Sequence, residues 1–407
     1  MTTPIFKDKT IILEDTSTWP KSPDRERDNQ GRKKYSQRKI QNALKSNPSQ
    51  AVNLSAYSDF LKAYEPDESG LYKKDPVCDL INHASEKNIL FKDDVFPPSI
   101  WWDGKTGVKK YGRINELITS PKMHILDGEN SGLFSMCQSN PTDISLTEVE
   151  RSPLITDMNQ KGLGNCGFVA TMGSLAIHPE AHNLLFSAIY PTAYNPLGIY
   201  SVRLIFASEI RYMLIDDQIP NEGYSSMENK SEFWYLLIEK AFAKLKGGYT
   251  NLAGGLETYL GVNSTANINI NANNKNCVWK DYFWDIFQNK HSTTYQGTGG
   301  SPKYLVSGHA YSVIDAVEWS GFRLVRLHNP WNVANYKGPF SADSADWNKI
   351  PQDIQKNLFQ VDRFKKFSFW MPYELYVDDL PKISNIYLNK MIPDYLQEIA
   401  NPKPIQD

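Results

Sequence analysis

The sequence has few cysteines and no long apolar run. Its 407 residues include only four cysteines, Cys78, Cys137, Cys166 and Cys277, and none of them belongs to a Cys-x-x-Cys pair. This scatter argues against a disulfide framework and against a zinc ribbon, and it is typical of a reducing compartment such as the cytoplasm. The N-terminus lacks the apolar core of a signal peptide, and no stretch approaches the roughly 18 apolar residues of a membrane helix. We therefore expect no membrane span and a cytoplasmic location.

An excess of charge of one sign is also lacking. The chain carries 44 basic and 46 acidic residues, which gives a formal net charge of −2. Without a basic surplus, nothing in the overall charge favours binding to nucleic acid or to an anionic membrane. Hydrophobic residues make up 41% of the chain and aromatic residues 12%, which is enough for a large buried core. The expected partners are small uncharged molecules or peptides, and nucleic acid is not among them.

Changes in composition along the chain predict four regions. Residues 1–85 are polar, with a charge-rich run and few periodic apolar positions, and predict a weakly structured extension with one short helix. Residues 86–256 predict a mostly helical half, and residues 257–385 predict a half built of antiparallel strands. Residues 386–407 form a C-terminal tail. The expected fold class is α+β.

Apolar spacing and turn residues predict the elements inside the two halves. Two helices are expected in the first half, over 166–177 and 233–245, and a proline or glycines follow each of them. In the second half, segments that alternate or are rich in β-forming residues predict strands over 304–306, 309–319, 322–328 and 367–371.

Three residues, in the order cysteine, histidine and asparagine, carry the chemical signal. Cys166 opens the first predicted helix, His309 follows 143 positions later, and Asn329 follows 20 positions after that. A free thiol is only slightly ionised at neutral pH, so a nucleophilic cysteine needs a helix N-terminus or an imidazolium close by. The pattern predicts a thiol hydrolase with Cys166 as nucleophile, His309 as base and Asn329 as the residue that orients the base.

Two further residues belong to the predicted site. Gln160, six residues before the cysteine, can hold the oxyanion of a tetrahedral intermediate with its side-chain amide, together with the Cys166 N–H. Trp331 can cover the bond between His309 and Asn329 and exclude water from it. Taken singly, these residues also fit ordinary roles, such as a small core cysteine, a satisfied strand histidine, a turn asparagine or a core tryptophan.

The hairpin expected between His309 and Asn329 raises a question of register. A plain two-residue turn at Ser320 and Gly321 would place Asn329 on the sheet face opposite His309, because side chains alternate between faces. We therefore predict a bulge, a longer turn, or strand pairing that ends before Asn329.

Several motifs, in order along the chain, give the sequence a more specific resemblance. They are Leu90–Pro97, Gln160–Cys166, Ile215–Pro220, Ser231–Ala241, Leu252–Gly255, Gly308–Val313, Asn329–Trp331 and Phe369–Met371. With these motifs, over about residues 88 to 380, the sequence resembles the calpain family of papain-like cysteine peptidases.

The resemblance implies a papain-like fold of two subdomains, a helical one with the cysteine and an antiparallel β one with the histidine and asparagine. A protein substrate would lie as an extended peptide in the cleft between them, against the backbone of Gly254, Gly255 and Gly308 and close to Trp331. The implied activity is limited proteolysis inside the cell. No cofactor is required for this chemistry.

The resemblance also implies calcium as a regulator, since calcium-regulated members use acidic residues in both halves. Asp157 and Glu232 match positions of the first calcium site, although surface or salt-bridged carboxylates are an equal alternative for them. At the second site the usual acidic pair is replaced by Lys366 and Ser368. A lysine cannot ligate a hard cation and a serine is a poor substitute for a carboxylate, so we expect the second site to be absent. The sequence contains no Asp-x-Asp-x-Asp-Gly loop, so no calmodulin-like domain is expected either.

Two other functions remain open. A catalytically silent, calpain-like binding or scaffold protein would fit the altered calcium positions and Gly167, which stands where the family usually has a tryptophan. An acyl transferase of the transglutaminase type also uses cysteine and histidine, but such enzymes usually place aspartate where Asn329 stands. The intact set of Cys166, His309, Asn329 and Gln160 favours a peptidase.

Overall fold

The computed structural model describes residues 50–87, 89–101, 111–121, 123, 155–177, 184–185, 188–191, 194–206, 209–221, 225–227, 230–253, 256–264, 268–284, 293–297, 301–359, 361 and 366–388. These residues form helices together with mainly antiparallel sheets, which confirms the mixed α+β class. None of the helices in these ranges has the length and apolar character needed to span a membrane.

Two helices matter most for the site, and both confirm the predictions. The cysteine helix, Cys166–Ile177, is buried from Phe168 onward, as its almost uninterrupted apolar sequence requires. The support helix, Trp234–Lys246, ends at Gly247, whose φ of 78° is the left-handed conformation common at helix C-termini.

The other helical segments of the described chain are shorter or lie farther from the site. The α-helical ones are Ser58–Leu61, Val77–Lys87, Ile114–Leu117, Lys275–Val278, Gln352–Ile354 and Tyr373–Asp379. Segments of 3-10 type are Leu54–Tyr57, Lys62–Tyr64, Pro98–Ile100, Ile155–Asp157, Tyr249–Asn251, Glu257–Leu260 and Ala345–Lys349, and segments of π type are Trp279–Trp284 and Gln355–Phe359.

The largest sheet is antiparallel and includes the strands that flank His309 and Asn329. We name Ala310–Trp319 the histidine strand, because His309 directly precedes it, and Phe322–His328 the asparagine strand, because Asn329 directly follows it. The strand order is Val262–Ser264, Lys382–Leu388, Thr293–Gly297, the histidine strand, the asparagine strand and Ser368–Pro372, and Ile268–Asn269 also pairs with Lys382–Leu388.

Smaller sheets complete the strand inventory of the described chain. Gln50–Asn53 pairs with Ile89–Lys92, Tyr111–Arg113 with Gln218–Pro220, Met158–Asn159 with Ser226–Met227, and Ile189–Tyr190 with Ile199–Phe206, which in turn pairs with Glu209–Asp216.

The histidine and asparagine strands form the expected hairpin with a two-residue turn. Trp319 pairs with Phe322, and the turn residues Ser320 and Gly321 have positive φ values of 47° and 83°. Positive φ at both central residues is the signature of the type I′ turn, whose twist matches that of antiparallel strands.

A bulge in the histidine strand resolves the question of register. The pairing shifts between Val313 and Asp315, so the histidine strand accommodates one extra residue. This one-residue shift moves Asn329 to the sheet face of His309, and the pairing ends at His328. The predicted bulge and the predicted early end of pairing are both confirmed.

The described residues of the first half are not mostly helical, because strands accompany the two helices. The antiparallel hairpin of Ile199–Phe206 and Glu209–Asp216 lies in this part of the chain, with Ile189–Tyr190 alongside. Neighbouring side chains of its first strand point into two different hydrophobic clusters, as Ile199 and Tyr200 do. Because both faces of this strand are buried, its sequence lacks the alternation that identifies a half-exposed strand.

The prediction of a strand over 304–306 is wrong. This segment lies instead against Asp379, whose carboxylate accepts the backbone N–H groups of Lys303, Tyr304 and Leu305 at 2.7, 2.8 and 2.9 Å. The carboxylate thus supplies the acceptors that a neighbouring strand would otherwise provide.

The described part of the N-terminal region is folded, although a weakly structured extension was expected. The strand Gln50–Asn53 pairs in parallel with Ile89–Lys92, and the helix Val77–Lys87 crosses the boundary expected at residue 85. Leu54 and Leu61 are buried in the same hydrophobic cluster as residues of the Ile199–Phe206 hairpin. Residues 1–49 lie outside the described chain.

Two large hydrophobic clusters form the interior around the site. The first includes residues of the cysteine and support helices, such as Phe168 and Phe242, and the second includes residues of the two hairpin strands, such as Tyr311 and Leu327. The cysteine helix meets the histidine strand where Ser312 Oγ donates to the carbonyl oxygen of Ala170 at 2.9 Å. This contact brings the start of the helix and the start of the strand into one region.

Candidate active site

His309 is held by Asn329 and Trp331. Its Nε2 lies 2.9 Å from Asn329 Oδ1, and its ring stacks on that of Trp331 with 4.1 Å between centroids and an interplanar angle of 29°. Burial lowers the pKa of His309, and the hydrogen bond to Asn329 opposes this shift. The sequence predicts that Asn329 orients His309 and that Trp331 covers their bond, and the structure brings these three side chains together.

The Asn329 amide has its own partners, and these determine which way it faces. Its Oδ1 also accepts the backbone N–H of Trp331 at 3.0 Å, while its Nδ2 donates to Asn335 Oδ1 at 3.0 Å. With the oxygen on the imidazole side, His309 donates from Nε2–H, and the neutral ring keeps its lone pair on Nδ1. The site therefore holds a histidine of defined tautomer.

Tyr311 connects the histidine side to the cysteine side. Its ring contacts that of His309 edge-on at 5.0 Å between centroids. Burial raises the pKa of Tyr311 to about 12; hydrogen bonds from Val306 N–H and Asn335 oppose this, and the charges of Asp379 and Cys166 add to it. Cys166 and His309 thus both lie in the neighbourhood of one buried tyrosine.

Close packing positions the cysteine helix on the histidine strand. A Cβ at Gly173 would lie 2.9 Å from Ile155 Cγ1 and 3.0 Å from Ser312 Oγ, so only glycine permits this approach. Cys166 itself is half-buried at the first position of the helix and is a free thiol. The helix thereby presents a partly accessible sulfur on a rigid support.

Gln160 is tied to the loop that follows Asn329. Its backbone N–H donates to the carbonyl oxygen of Pro330 at 2.8 Å, and its side-chain Nε2 donates to the carbonyl oxygen of Leu163 at 2.6 Å. That second bond uses one of the two N–H groups of the amide. A parallel link runs from Asn332 Nδ2 to the carbonyl oxygen of Thr156 at 2.7 Å. The segment before the cysteine is therefore fastened to the segment after the asparagine.

His328 is a residue that the sequence analysis missed. Its Nε2 lies 2.8 Å from Asn332 Oδ1, so the pair closes the loop that carries Asn329, Pro330 and Trp331. Burial lowers the pKa of His328 to about 4, the charge of Arg326 lowers it further, and the bond to Asn332 opposes the shift. The signal was present in the sequence, since polar residues four positions apart flank the Asn-Pro-Trp motif.

The predicted substrate-binding residues are only partly described. Gly308 has a φ of 66°, which places a left-handed residue directly before His309, and the space around its missing Cβ is open. Trp331 is half-buried beside His309. Gly254 and Gly255 lie outside the described residues.

The predicted calcium ligands Asp157 and Glu232 are both buried. Within the described ranges, no three His, Cys, Asp or Glu side chains are grouped as metal ligands would be. At the second predicted position, Ser368 Oγ accepts from the buried Arg326 Nε at 2.9 Å, and Lys366 lies over the ring of Phe367 at 4.9 Å. Two cationic side chains at that position oppose a bound cation, and the absence of the second site stays a prediction.

Comparison with known proteins adds independent information. A sequence model described as calpain family cysteine protease matches residues 137–384. The chain is 28% identical over 336 residues to the calpain-type cysteine protease DEK1 of Arabidopsis thaliana, a match over 76% of this chain and 14% of that protein. It is 27% identical over 349 residues to the calpain-1 catalytic subunit of Rattus norvegicus, over 77% of this chain and 43% of that protein. It is 30% identical over 247 residues to calpain-7 of Mus musculus, over 53% of this chain and 30% of that protein. The chain thus matches less than half the length of each of these relatives.

Proposed function

This chain belongs to the calpain family of cysteine proteases, and we propose that it is a cysteine endopeptidase that cleaves proteins at limited sites through Cys166, His309 and Asn329. The observation that carries the proposal is the fixed imidazole. His309 is held by Asn329 and Trp331 in one orientation and one tautomer, next to the strand on which the cysteine helix packs.

In the first step the Cys166 sulfur attacks the carbonyl carbon of the scissile peptide bond. His309 Nδ1 takes the thiol proton, the C=O π electrons move to oxygen, and a tetrahedral intermediate with a negative oxygen forms. The Cys166 N–H and the second N–H of the Gln160 amide donate to this oxyanion, since the first N–H is used by Leu163. Asn329 holds the imidazolium that results.

In the second step the imidazolium gives its proton to the leaving nitrogen. The C–N bond breaks, the amine leaves, and the acyl group stays on the Cys166 sulfur as a thioester. Water then attacks the thioester carbonyl while His309 accepts one of its protons, and the thiol regains that proton as the carboxylic acid product leaves. Each residue returns to its starting state, and no cofactor takes part.

We also propose the papain-like arrangement of two subdomains with the substrate in the cleft between them. The two separate hydrophobic clusters, one around the cysteine and support helices and one around the largest sheet, support it. The bonds from Gln160 and Asn332 would fasten the two sides beneath the cleft. An extended substrate would pair with the backbone of Gly254, Gly255 and Gly308 and pass beside Trp331.

Calcium regulation and a cytoplasmic location stay predictions. A calcium ion takes about six to eight oxygen ligands, and Asp157 and Glu232 supply only two of the carboxylates. No step of the proposed reaction runs through the ion. The free thiols of Cys78, Cys166 and Cys277 support a reducing compartment.

One experiment tests the peptidase and separates it from the two other functions. Purified protein is incubated with unfolded casein and with an epoxide thiol inhibitor, with and without calcium, beside Cys166→Ala. New N-termini and inhibitor attached to Cys166 are expected for the wild type, and neither for the variant. A wild type that neither cleaves nor reacts under any calcium condition would be a silent scaffold, whereas ammonia release with cross-linking would indicate a transferase.

A further inference from the structure

The residue before the nucleophile, Asn165, is drawn into the interior by a buried carboxylate. Asn165 Nδ2 donates to Glu239 Oε1 at 2.8 Å and lies 3.4 Å from Ser225 Oγ. Tyr235, one turn before Glu239 on the support helix, donates its hydroxyl to the same Oε1 at 3.1 Å. All four side chains are buried. The reaction as described above uses none of them.

Asn165 occupies the position of a helix cap without acting as one. Its carbonyl oxygen accepts the N–H of Val169 at 3.0 Å, which is the first bond of the cysteine helix. Asparagine is among the best capping residues at this position, because its side-chain oxygen can accept an N–H of the second or third helical residue. Here Asn165 Oδ1 is buried and makes no hydrogen bond with the described residues. The side chain has been turned away from the helix that it begins.

This arrangement matters for the first turn of the cysteine helix. The N–H groups of Cys166, Gly167 and Phe168 have no acceptor within the helix, because a helix leaves its first N–H groups unpaired. They carry the positive end of the helix dipole, which favours negative charge beside them. A capping oxygen from Asn165 would accept from the N–H of Gly167 or Phe168 and would add partial negative charge beside the Cys166 N–H, where the oxyanion must form.

Glu239 is suited to hold Asn165 because its carboxylate is not engaged by the neighbouring cation. Lys240, the next residue, forms a buried ion pair with Asp216 instead. Burial raises the pKa of Glu239 to about 7, and the hydrogen bonds from Ser225, Tyr235 and Asn165 oppose the shift. A buried carboxyl held only by neutral groups costs stability, which is a common sign of a functional constraint.

We propose that Glu239 is a positioning residue for the nucleophile: it holds the Asn165 amide inside the protein, prevents Asn165 from capping the cysteine helix, and so keeps a partly negative oxygen away from the helix end at which the oxyanion forms. The inference rests on the proposed function, in which the Cys166 N–H stabilises the oxyanion. Glu239 acts through Asn165 and does not touch the substrate.

The kinetic test compares Glu239→Ala with Glu239→Gln. Alanine releases Asn165, so kcat should fall by roughly 10- to 100-fold with KM within about threefold of the wild type. Glutamine retains an acceptor for Asn165 and should keep kcat within about threefold. Glu318→Ala is the control, because Glu318 also accepts a side-chain bond, from Trp279 Nε1 at 2.6 Å, but is exposed and lies in the sheet half. It should leave kcat unchanged.

Substitutions of Asn165 test the capping argument without touching Glu239. Serine is a good cap and is too short to reach Glu239, whereas alanine cannot cap at all. Asn165→Ser should therefore have a kcat about 10-fold below that of Asn165→Ala, and adding Asn165→Ala to Glu239→Ala should raise kcat above that of Glu239→Ala alone. A merely structural role predicts the opposite, with the double variant worse than either single one. That result, or equal kcat for the serine and alanine variants, would overturn the proposal.

A readout that needs no activity separates this proposal from the proposed function. Amide hydrogen exchange, followed by mass spectrometry on peptides that cover residues 160–170, should slow in Glu239→Ala and Asn165→Ser, since a cap protects the first-turn N–H groups. If the wild type proves inactive, the proposed function fails and exchange alone decides the role of Glu239. Unchanged exchange in both variants would refute the proposal, whatever the activity.

Discussion

The histidine side and the cysteine side of the site are positioned by different kinds of group. Around His309 the partners are neutral, since Asn329 supplies an amide and Trp331 a ring. Around Cys166 the chain is held through Asn165 by Glu239, a buried carboxyl whose pKa is raised to about 7 by burial. One side is therefore built from groups that do not titrate, and the other depends on one that does.

The two kinds of partner fit what the proposed reaction requires of His309 and of Cys166. The imidazole changes its own charge during the reaction, and burial already lowers the pKa of His309. A neutral amide can orient the ring in both protonation states without pulling the proton toward itself. The nucleophile needs instead a chain segment that is held away from its own helix end, and the buried carboxyl oxygen of Glu239 holds the Asn165 amide there.

The largest effect is expected on the histidine side, from Asn329→Ala. Without the amide, His309 Nε2 loses its acceptor, and the ring can rotate or change tautomer, so kcat/KM should fall about 100-fold. The measurement is initial rates on casein, with Asn271→Ala as control, because the Asn271 side chain accepts the backbone N–H groups of Asn273 and Asn274 in an exposed turn. A kcat/KM within about threefold of the wild type would contradict the assigned role.

A smaller effect on the same side is expected from Asn335→Ala. Asn335 accepts from Asn329 Nδ2, but Asn329 keeps its bond to the Trp331 N–H, so its amide should lose only part of its alignment. We expect about a 10-fold loss in kcat. Asn335→Asp still offers an oxygen to Asn329 and should restore most of the rate. Equal losses in the two variants would show that Asn335 does not act through the oxygen that it offers to Asn329.

The sequence predicts those parts of the site whose signal lies in a few neighbouring residues. The apolar run after Cys166 specifies its helix, and Ser320 with Gly321 specifies the turn. The need to bring Asn329 to the face of His309 even predicts an irregularity in the strand, since a regular pairing would separate them. These inferences succeed because a period, a turn type and an alternation are each encoded in a few neighbouring residues.

The sequence does not predict features that depend on distant partners. Nothing local shows that Asp379 takes the place of a strand for residues 303–305, or that the strand Ile199–Phe206 is buried on both faces. The bond between Asn165 and Glu239 joins residues 74 positions apart, and each residue alone looks like an ordinary helix residue. Such pairings become visible only when the tertiary structure fixes which polar groups are buried together.

The smallest effect on activity, and a distinct effect on stability, is expected from Glu239→Gln as the pH is varied. The raised pKa of Glu239, about 7 compared with an ordinary 4.5, means that the folded protein keeps this proton in a range where the unfolded chain has lost it. Stability from this group is therefore fully present below about pH 4.5 and is lost as the pH rises through about 7. Glutamine does not titrate, so the variant should lose this dependence.

The measurement is the midpoint of thermal unfolding at pH 5, 6, 7 and 8 for the wild type and Glu239→Gln. Relative to the variant, the wild type should be most stable at pH 5 and should lose that advantage by pH 8, because its buried carboxyl must then ionise beside the neutral side chains of Ser225, Tyr235 and Asn165. Glu374→Gln is the control, since Glu374 is an exposed carboxyl paired with Arg323. A constant difference between wild type and Glu239→Gln across this range would mean that Glu239 positions the cysteine side without titrating, as Asn329 and Trp331 position His309, and the contrast between the two sets of partners would disappear.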